Sequence, residues 1–298
     1  MTAPYSPRRL PTSRFETLRG LRAHALQWEG DARRPLRVLL HGWMDVAASF
    51  QFLVDAFADD APVLAIDWRG FGDSAPSGAD AYWFADYAAD LDAWLHLLSP
   101  DAPVDLIAHS MGGNVAMLYA GVRPERVRRL VNLEGYGLPD SPPAAAPERM
   151  RRWLDELQAP AQLKPYPSLD AVAARLRKTN PRLTADKAAW LAQHWTAQGA
   201  DGQYHLKADP AHKRSHAVPY RKAEALAIWA RIAAPTLLVE GEDDALRLFW
   251  ADRYPRSDLE ERLAVVPSLQ QHRLADCGHM LHHDQPEALA QVIEAFLA

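Results

Sequence analysis

The stretch Val104–Ala120, VDLIAHSMGGNVAMLYA, places one serine between an apolar strand and a helix. The apolar run over 104–108 is typical of a buried strand, and a helical pattern begins two residues beyond Ser110. A chain that turns this sharply has little room for side chains, and the small residues Ala108 and Gly112 relieve the crowding. The pattern therefore predicts an exposed serine hydroxyl on a tight turn, which is the position of a nucleophile.

Other apolar runs of strand length alternate with helical patterns along the rest of the chain. Such runs occupy 36–42, 61–70, 127–135, 234–244 and 270–280. This alternation predicts an α/β fold with a mostly parallel central sheet flanked by helices. Two more evenly alternating runs, at 13–19 and 21–29, predict an antiparallel leading hairpin.

The alternation is interrupted after Gly137 by a proline-rich segment and then by helical stretches without a clear strand. Strand character returns only at 234–244. We therefore predict that residues 1–137 and 232–298 form the α/β core. Residues 138–231 are predicted to form a helical cap inserted between two strands of the sheet.

The composition of the 298-residue chain, with 48% hydrophobic residues, is typical of a globular protein. A net charge of −5 argues against nucleic acid or an anionic membrane as a partner. The single cysteine, Cys277, excludes an internal disulfide and suits a reducing compartment. The N-terminal segment lacks an apolar run, so no secretory signal is predicted, and the expected location is cytoplasmic.

Polar residues follow several of the predicted strands, where functional groups gather in α/β sheets. Ser110 follows one strand, His41-Gly42-Trp43 another, Asp243-Asp244 a third, and His279 follows the last. In chain order the reactive groups are a serine, an acid and a histidine.

The motifs HGWMD, DWRGFGDS, AHSMGG, GEDD and GHMLHHDQPEAL, in this order, resemble those of the α/β-hydrolase superfamily. The nearest resemblance is to its capped serine hydrolase-like esterases. Ala108 stands where the superfamily's G-x-S-x-G motif begins with glycine, and it is a common small-residue variant. The resemblance covers nearly all of the chain outside the predicted cap.

A serine hydroxyl is a weak nucleophile until a histidine accepts its proton and a carboxylate orients that histidine. Ser110 is the predicted nucleophile and His279 the predicted base. The resemblance implies that Asp244 is the acid, because it has the G-x-x-D spacing from Gly241. Two alternatives remain open, namely the adjacent Asp243 and Glu134 at the end of the preceding strand.

An oxyanion needs fixed hydrogen-bond donors, and the resemblance implies the backbone N–H groups of Trp43 and Met111. His41 and Gly42 are expected to shape the loop that carries Trp43. The glycines of DWRGFGDS fit neither nucleotide-binding motif, so no cofactor is expected. No metal is expected either, because no second ligand cluster accompanies His282 and His283.

These features predict a carboxylesterase-like enzyme that cleaves a small or medium acyl or aryl ester through an acyl-enzyme. Serine at position 110 argues against dehalogenases and epoxide hydrolases, whose nucleophile is a carboxylate. A lactonase, a thioesterase or a carbon–carbon bond hydrolase would keep the same triad. A hydrolase-like receptor for a small molecule is the alternative outside catalysis. The expected assembly is a monomer or a homodimer.

Overall fold

The computed structural model describes residues 4–298 of the chain. Ten strands and eleven helices are assigned within that range. The strands are β1 (Thr12–Leu18), β2 (Leu21–Trp28), β3 (Arg37–Leu40), β4 (Val63–Asp67), β5 (Val104–His109), β6 (Val127–Leu133), β7 (Thr196–Gln198), β8 (Tyr204–Leu206), β9 (Thr236–Gly241) and β10 (Leu269–Leu274).

The helices alternate with the strands in the first and last parts of the chain and follow one another in the middle. They are α1 (Gln51–Ala56), α2 (Phe84–Leu98), α3 (Met111–Val122), α4 (Ala146–Leu157), α5 (Leu169–Thr179), α6 (Ala185–Trp195), α7 (Lys222–Trp229), α8 (Ala245–Trp250), α9 (Arg256–Leu263), α10 (Leu281–Asp284) and α11 (Pro286–Leu297).

Eight strands form one sheet in the order β1-β2-β4-β3-β5-β6-β9-β10. The hairpin β1–β2 is antiparallel, and β2 also pairs antiparallel with β4. The pairs from β4 through β10 are parallel. The predicted α/β fold class, with its mostly parallel sheet and antiparallel leading hairpin, is confirmed. Because the parallel strands share a direction, their carboxyl ends meet at one edge of the sheet.

The central strands β3, β4 and β5 are buried along their whole length, as expected for parallel strands covered on both faces. One hydrophobic cluster joins the sheet to α2 and α3, and a second joins the sheet to α1 and α11. The apolar side of α11 lies in the second cluster, with Leu289, Ile293 and Phe296 all buried. Helices therefore cover both faces of the sheet and leave the strand ends to the loops.

Strands β6 and β9 pair directly, although the residues of the predicted cap lie between them in the chain. Helices α5 and α6 pack in a hydrophobic cluster of their own, which includes Phe52. The short pair β7–β8 lies in this segment, where the sequence predicted no strand. Helix α7 instead packs against α3, and a Cβ on Gly121 would come within 2.1 Å of the Ile228 carbonyl oxygen. The predicted cap, residues 138–231, thus contains two different parts. Helices α5 and α6 share one hydrophobic cluster, whereas α7 packs against α3 on the sheet.

Across residues 4–298, the model contains no helix with the length and apolar character needed to cross a bilayer.

Candidate active site

Ser110 lies on the turn between β5 and α3 with φ 53° and ψ −115°. This region is unfavourable for a residue with a side chain, and such strain is concentrated at functional sites. Hydrogen bonds on both sides hold the turn: the Ser110 N–H donates to the Leu133 carbonyl at 2.8 Å, and the Ser110 carbonyl accepts from Asn114 N–H at 3.0 Å. The turn places the hydroxyl at the carboxyl edge of the sheet.

The two glycines after Ser110 allow α3 to approach the sheet closely. A Cβ on Gly112 would lie 2.3 Å from the Leu40 carbonyl oxygen. A Cβ on Gly113 would lie 2.5 Å from Oδ1 of Asn132. Both distances are far below van der Waals contact, so the backbone conformation of this turn depends on glycine at these positions.

His279 lies between Ser110 and Glu134. Its Nε2 is 3.0 Å from Oγ of Ser110, and its Nδ1 is 2.6 Å from Oε2 of Glu134. The Glu134 side chain is fully buried, and its Oε1 accepts a hydrogen bond from the Gly241 N–H at 2.7 Å. A carboxylate at Nδ1 fixes the proton there and leaves Nε2 free to accept one. The geometry is therefore that of a serine–histidine–glutamate triad.

Asp244 does not take part in this arrangement, and the prediction that it contacts His279 is wrong. It is the N-cap of α8, where its Oδ1 accepts a hydrogen bond from the Arg247 N–H at 3.0 Å. Asp243 is paired with Arg182 at 2.7 Å. The physical reason is that the chain turns into α8 soon after β9. The carboxylate at the end of β6, one strand nearer Ser110, reaches His279 instead.

Burial decides the charge of the His279–Glu134 pair. It lowers the pKa of His279 and raises the pKa of Glu134, because a site removed from water disfavours either charged form. The hydrogen bond from the Gly241 N–H acts in the opposite sense on Glu134 and lowers its pKa. His279 is therefore neutral near pH 7, which is the form able to accept a proton.

The two predicted oxyanion donors border the same cavity as Ser110. Met111 is the first residue of α3, so its N–H has no carbonyl partner within the helix. The side chain of Trp43 is held by a hydrogen bond from its Nε1 to the His212 carbonyl at 3.2 Å.

The loop that carries Trp43 is fixed by buried hydrogen bonds. Nδ1 of His41 is 2.7 Å from the Gly42 carbonyl oxygen, and Nε2 accepts from the Trp68 N–H at 3.1 Å. The neighbouring loop is held by Asp67, which accepts from the N–H groups of Ala47 and Asp73. The structural role predicted for His41 agrees with these contacts.

Ser110 opens into a cavity of about 490 Å³ whose walls are mostly aromatic. Within residues 4–298, the lining contains no Lys or Arg, and its carboxylates are Asp45 and Glu134. Phe249 lies at the site itself, with its ring centroid 4.7 Å from that of His279. The aromatic lining residues are Trp43, Tyr82, Trp83, Phe84, Tyr87, Tyr136, Trp195, Phe249 and Trp250.

Most of these aromatic residues were not singled out from the sequence. The sequence feature that could have indicated them was the aromatic run YWF at 82–84, which leads into α2 at Phe84. Of the tryptophans in the predicted cap, Trp195 lines the cavity. Trp229 is buried against the sheet cluster, and Trp190 packs against Tyr5.

Fold and site together define a hydrolase of the α/β class, and comparison with known proteins agrees. Residues 36–286 match the family model described as alpha/beta hydrolase fold. The chain therefore belongs to the α/β-hydrolase family and is an enzyme of that type.

Relatives in this family share the fold over nearly the whole chain. A serine hydrolase-like protein of Danio rerio is 27% identical over 91% of this chain and 83% of its own length. A cis-3-alkyl-4-alkyloxetan-2-one decarboxylase of Shewanella oneidensis is 25% identical over 87% and 81%. Among solved structures, the thioesterase domain of a curacin biosynthetic pathway superposes with a TM-score of 0.84 at 25% identity, covering 96% of this chain and 99% of that domain.

Proposed function

We propose that this protein is a serine hydrolase that cleaves carboxylic esters through an acyl-enzyme formed on Ser110. The observation that carries the proposal is the chain of hydrogen bonds from Ser110 through His279 to Glu134, at the edge of a largely apolar cavity. The serine hydrolase-like relative supports the same reaction class.

In the acylation step, Oγ of Ser110 attacks the ester carbonyl carbon while Nε2 of His279 accepts the hydroxyl proton. The Glu134 carboxylate stabilises the imidazolium that forms. The backbone N–H groups of Trp43 and Met111 are the proposed donors to the oxyanion, and removing one such donor typically costs about 10²–10³ in rate. The tetrahedral intermediate then expels the alcohol, which takes the proton from His279.

Deacylation repeats the same proton transfers with water. His279 accepts a proton from a water molecule, and the resulting hydroxide adds to the acyl carbonyl carbon. Collapse of the second tetrahedral intermediate breaks the acyl–Oγ bond and releases the carboxylic acid. Ser110 recovers its proton from His279, so the enzyme is regenerated without another reactant.

The cavity favours an uncharged substrate with an apolar or aryl acyl group of small or medium size. Its lining offers aromatic faces and, across the described part of the chain, no basic side chain to pair with an anionic substrate. A neutral thioester or lactone would meet the same catalytic groups. Because the chain is similar to a thioesterase domain, a thioester is the second candidate substrate.

We further propose that the segment between β6 and α7 acts as a cap over the site. Trp195, the last residue of α6, lines the cavity. In the same segment, Tyr204 of β8 forms an isolated β-bridge with Tyr166. The segment thus supplies one wall of the binding pocket from outside the sheet.

The test is a panel of chromogenic esters, from acetyl to long acyl chains and including aryl esters and one thioester, assayed with wild type and Ser110→Ala. We expect turnover with an optimum at short to medium or aryl acyl groups, and a loss of at least about 10³-fold in the variant. A fluorophosphonate should add covalently to Ser110 in wild type alone. Labelling without turnover of any ester would favour the receptor alternative, and undiminished turnover in Ser110→Ala would refute the proposal.

A further inference from the structure

A buried group of metal-ligating side chains lies directly beside His279. Asp45, His109 and His282 each offer one ligand atom within 4.8 Å of the other two. We propose that these three residues form a binding site for a divalent transition metal of the Zn²⁺ or Co²⁺ type. The proposal is independent of the esterase assignment.

The three residues come from separate parts of the fold. Asp45 lies in the loop after β3, His109 is the last residue of β5, and His282 lies in α10. Their exposures are 3%, 2% and 0% of the residue surface. Buried polar groups of this kind are expected to have partners, so the contacts of each one are informative.

His109 presents an unprotonated nitrogen. Its Nε2 is 2.8 Å from the His279 carbonyl oxygen, so Nε2 carries the proton and Nδ1 keeps its lone pair. That Nδ1 is buried and lacks a hydrogen-bond partner among residues 4–298. Gly42 leaves the lone pair uncovered, because a Cβ there would lie 2.9 Å from Nδ1. The imidazole is in the form that binds metals.

Asp45 presents an unpaired carboxylate oxygen. Its Oδ1 accepts a hydrogen bond from the Val46 N–H at 2.9 Å. Its Oδ2 is buried, finds no hydrogen-bond donor in the described part of the chain, and lies 3.7 Å from Nε2 of His282. A buried carboxylate oxygen without a hydrogen-bond donor needs a partner of opposite charge.

His282 completes the set. Its Nε2 is 3.0 Å from Oγ of Ser49, which is also 2.6 Å from Nε2 of His283. Nδ1 of His282 has no hydrogen-bond partner within the range that the structure covers. The nitrogen that lies 3.7 Å from Oδ2 of Asp45 is Nε2, so Nε2 is the ring atom placed toward the carboxylate, and Ser49 has His283 as its other hydrogen-bond partner.

Two imidazoles and one carboxylate are a donor set typical of Zn²⁺ sites that keep a fourth position open. Bonds of about 2.1 Å in a tetrahedral arrangement would bring ligand atoms to about 3.4 Å from each other, so side chains at the 4.8 Å limit would close by about 1.4 Å. A cation would also neutralise Asp45, which a water molecule would not. Asp45 and His109 border the active-site cavity, which supplies an entry path.

This inference departs from the expectation of no metal site. That expectation rested on the lack of a second ligand cluster near His282 in the sequence. The structure supplies the missing ligands from positions 45 and 109, which are remote in the chain.

The test uses the untagged full-length protein, stripped with a chelator and then titrated with Zn²⁺ and, separately, with Co²⁺. We expect one bound metal per chain after gel filtration, a rise in Tm on loading, and the visible d–d absorption of a four-coordinate Co²⁺. No retained metal and no change in Tm or absorption would overturn the proposal and leave water as the occupant.

Asp45→Asn is the decisive variant because it is isosteric and preserves the acceptor for the Val46 N–H. It removes a buried negative charge whose Oδ2 has no hydrogen-bond donor in the described part of the chain, so we expect an unchanged or raised Tm without metal. Loss of the anionic ligand should weaken Zn²⁺ binding at least about 100-fold. His272→Ala, which removes an exposed histidine on β10, is the matched control and should bind as wild type does.

Wild-type affinity in Asp45→Asn, or loss of binding in His272→Ala, would place the metal elsewhere and refute the site. If Asp45→Asn does not fold, the Co²⁺ spectrum of wild type still decides between a buried four-coordinate site and surface binding.

Discussion

The Glu134 carboxylate lies 2.6 Å from Nδ1 of His279, whereas the carboxylate of Asp244 caps α8. The acid thus follows β6, the strand paired directly with the strand of Ser110. Glu134 has φ 55° and Ser110 has φ 53°, so the residues that directly follow β5 and β6 both adopt a strained backbone at the site.

Replacing Glu134 and Asp244 separately should show which of the two carboxylates acts as the acid. Glu134→Gln is expected to reduce kcat by about 10⁴, as a wrong imidazole tautomer does in serine proteases. Asp244→Asn should retain kcat within about twofold, because asparagine is as good an N-cap as aspartate. Steady-state kinetics on the best ester of the panel measures both. The opposite ranking would return the acid to Asp244.

The pH dependence of the reaction should report the burial of His279. The base must be neutral to accept a proton, so activity falls as the pH drops through the pKa that governs it. Burial lowers the pKa of His279 from its ordinary value, and we therefore expect the acidic midpoint of kcat/KM to lie below pH 6.5. Rates should be followed at the isosbestic wavelength of the leaving phenol.

Circular dichroism of Ser110→Ala over the same pH range is the control for unfolding. A midpoint near pH 8 would contradict the expectation. It would assign the acidic limb to protonation of Glu134, whose pKa burial raises.

The tight approach of α3 to the sheet should make Gly112 intolerant of any side chain. Gly112→Ala places a Cβ 2.3 Å from the Leu40 carbonyl oxygen, and we expect a loss of about 3 kcal/mol or more in the free energy of unfolding. Gly78→Ala is the comparison variant, since nothing lies within 4 Å of its new Cβ and its only strain is the positive φ of 70°, which Gly112 does not share. It should lose only about 1–2 kcal/mol. Urea titration measures both, and a loss below about 1 kcal/mol in Gly112→Ala would contradict the steric contact.

Phe249 should influence which acyl groups the enzyme accepts. Its ring lies beside His279 and lines the cavity, so Phe249→Ala should lower kcat/KM for aryl esters about 3–10-fold and affect acetyl esters less. Leu248→Ala, at a neighbouring residue that is 73% exposed, is the control and should leave the preference unchanged. A uniform loss over all esters in Phe249→Ala would instead indicate a disturbed His279.

Patterns among neighbouring residues were sufficient to predict the architecture and two residues of the site, Ser110 and His279. The alternation of apolar runs with helical patterns corresponds to β3 through β6 and to β9, β10 and α11. The small residues around Ser110 marked the turn because their effect is steric and acts within a few positions. His279 was recognisable from the motif around it.

Other features could not be deduced from the chain in this way. The pair β7–β8 has strands of three residues, too short to show a period in the sequence. The aromatic lining of the cavity combines residues from five separate segments, which are remote from one another in the chain.

The sequence by itself determined the α/β fold, the nucleophile turn at Ser110 and the candidate base at His279, because each depends on interactions among residues close together in the chain. Only the tertiary structure decided that Glu134 contacts His279 and that Asp45 and His109 face His282. Those choices depend on strand order and loop path, which bring remote segments together at the carboxyl edge of the sheet. A carboxylate acts through distance and burial, and neither is encoded in its position along the chain.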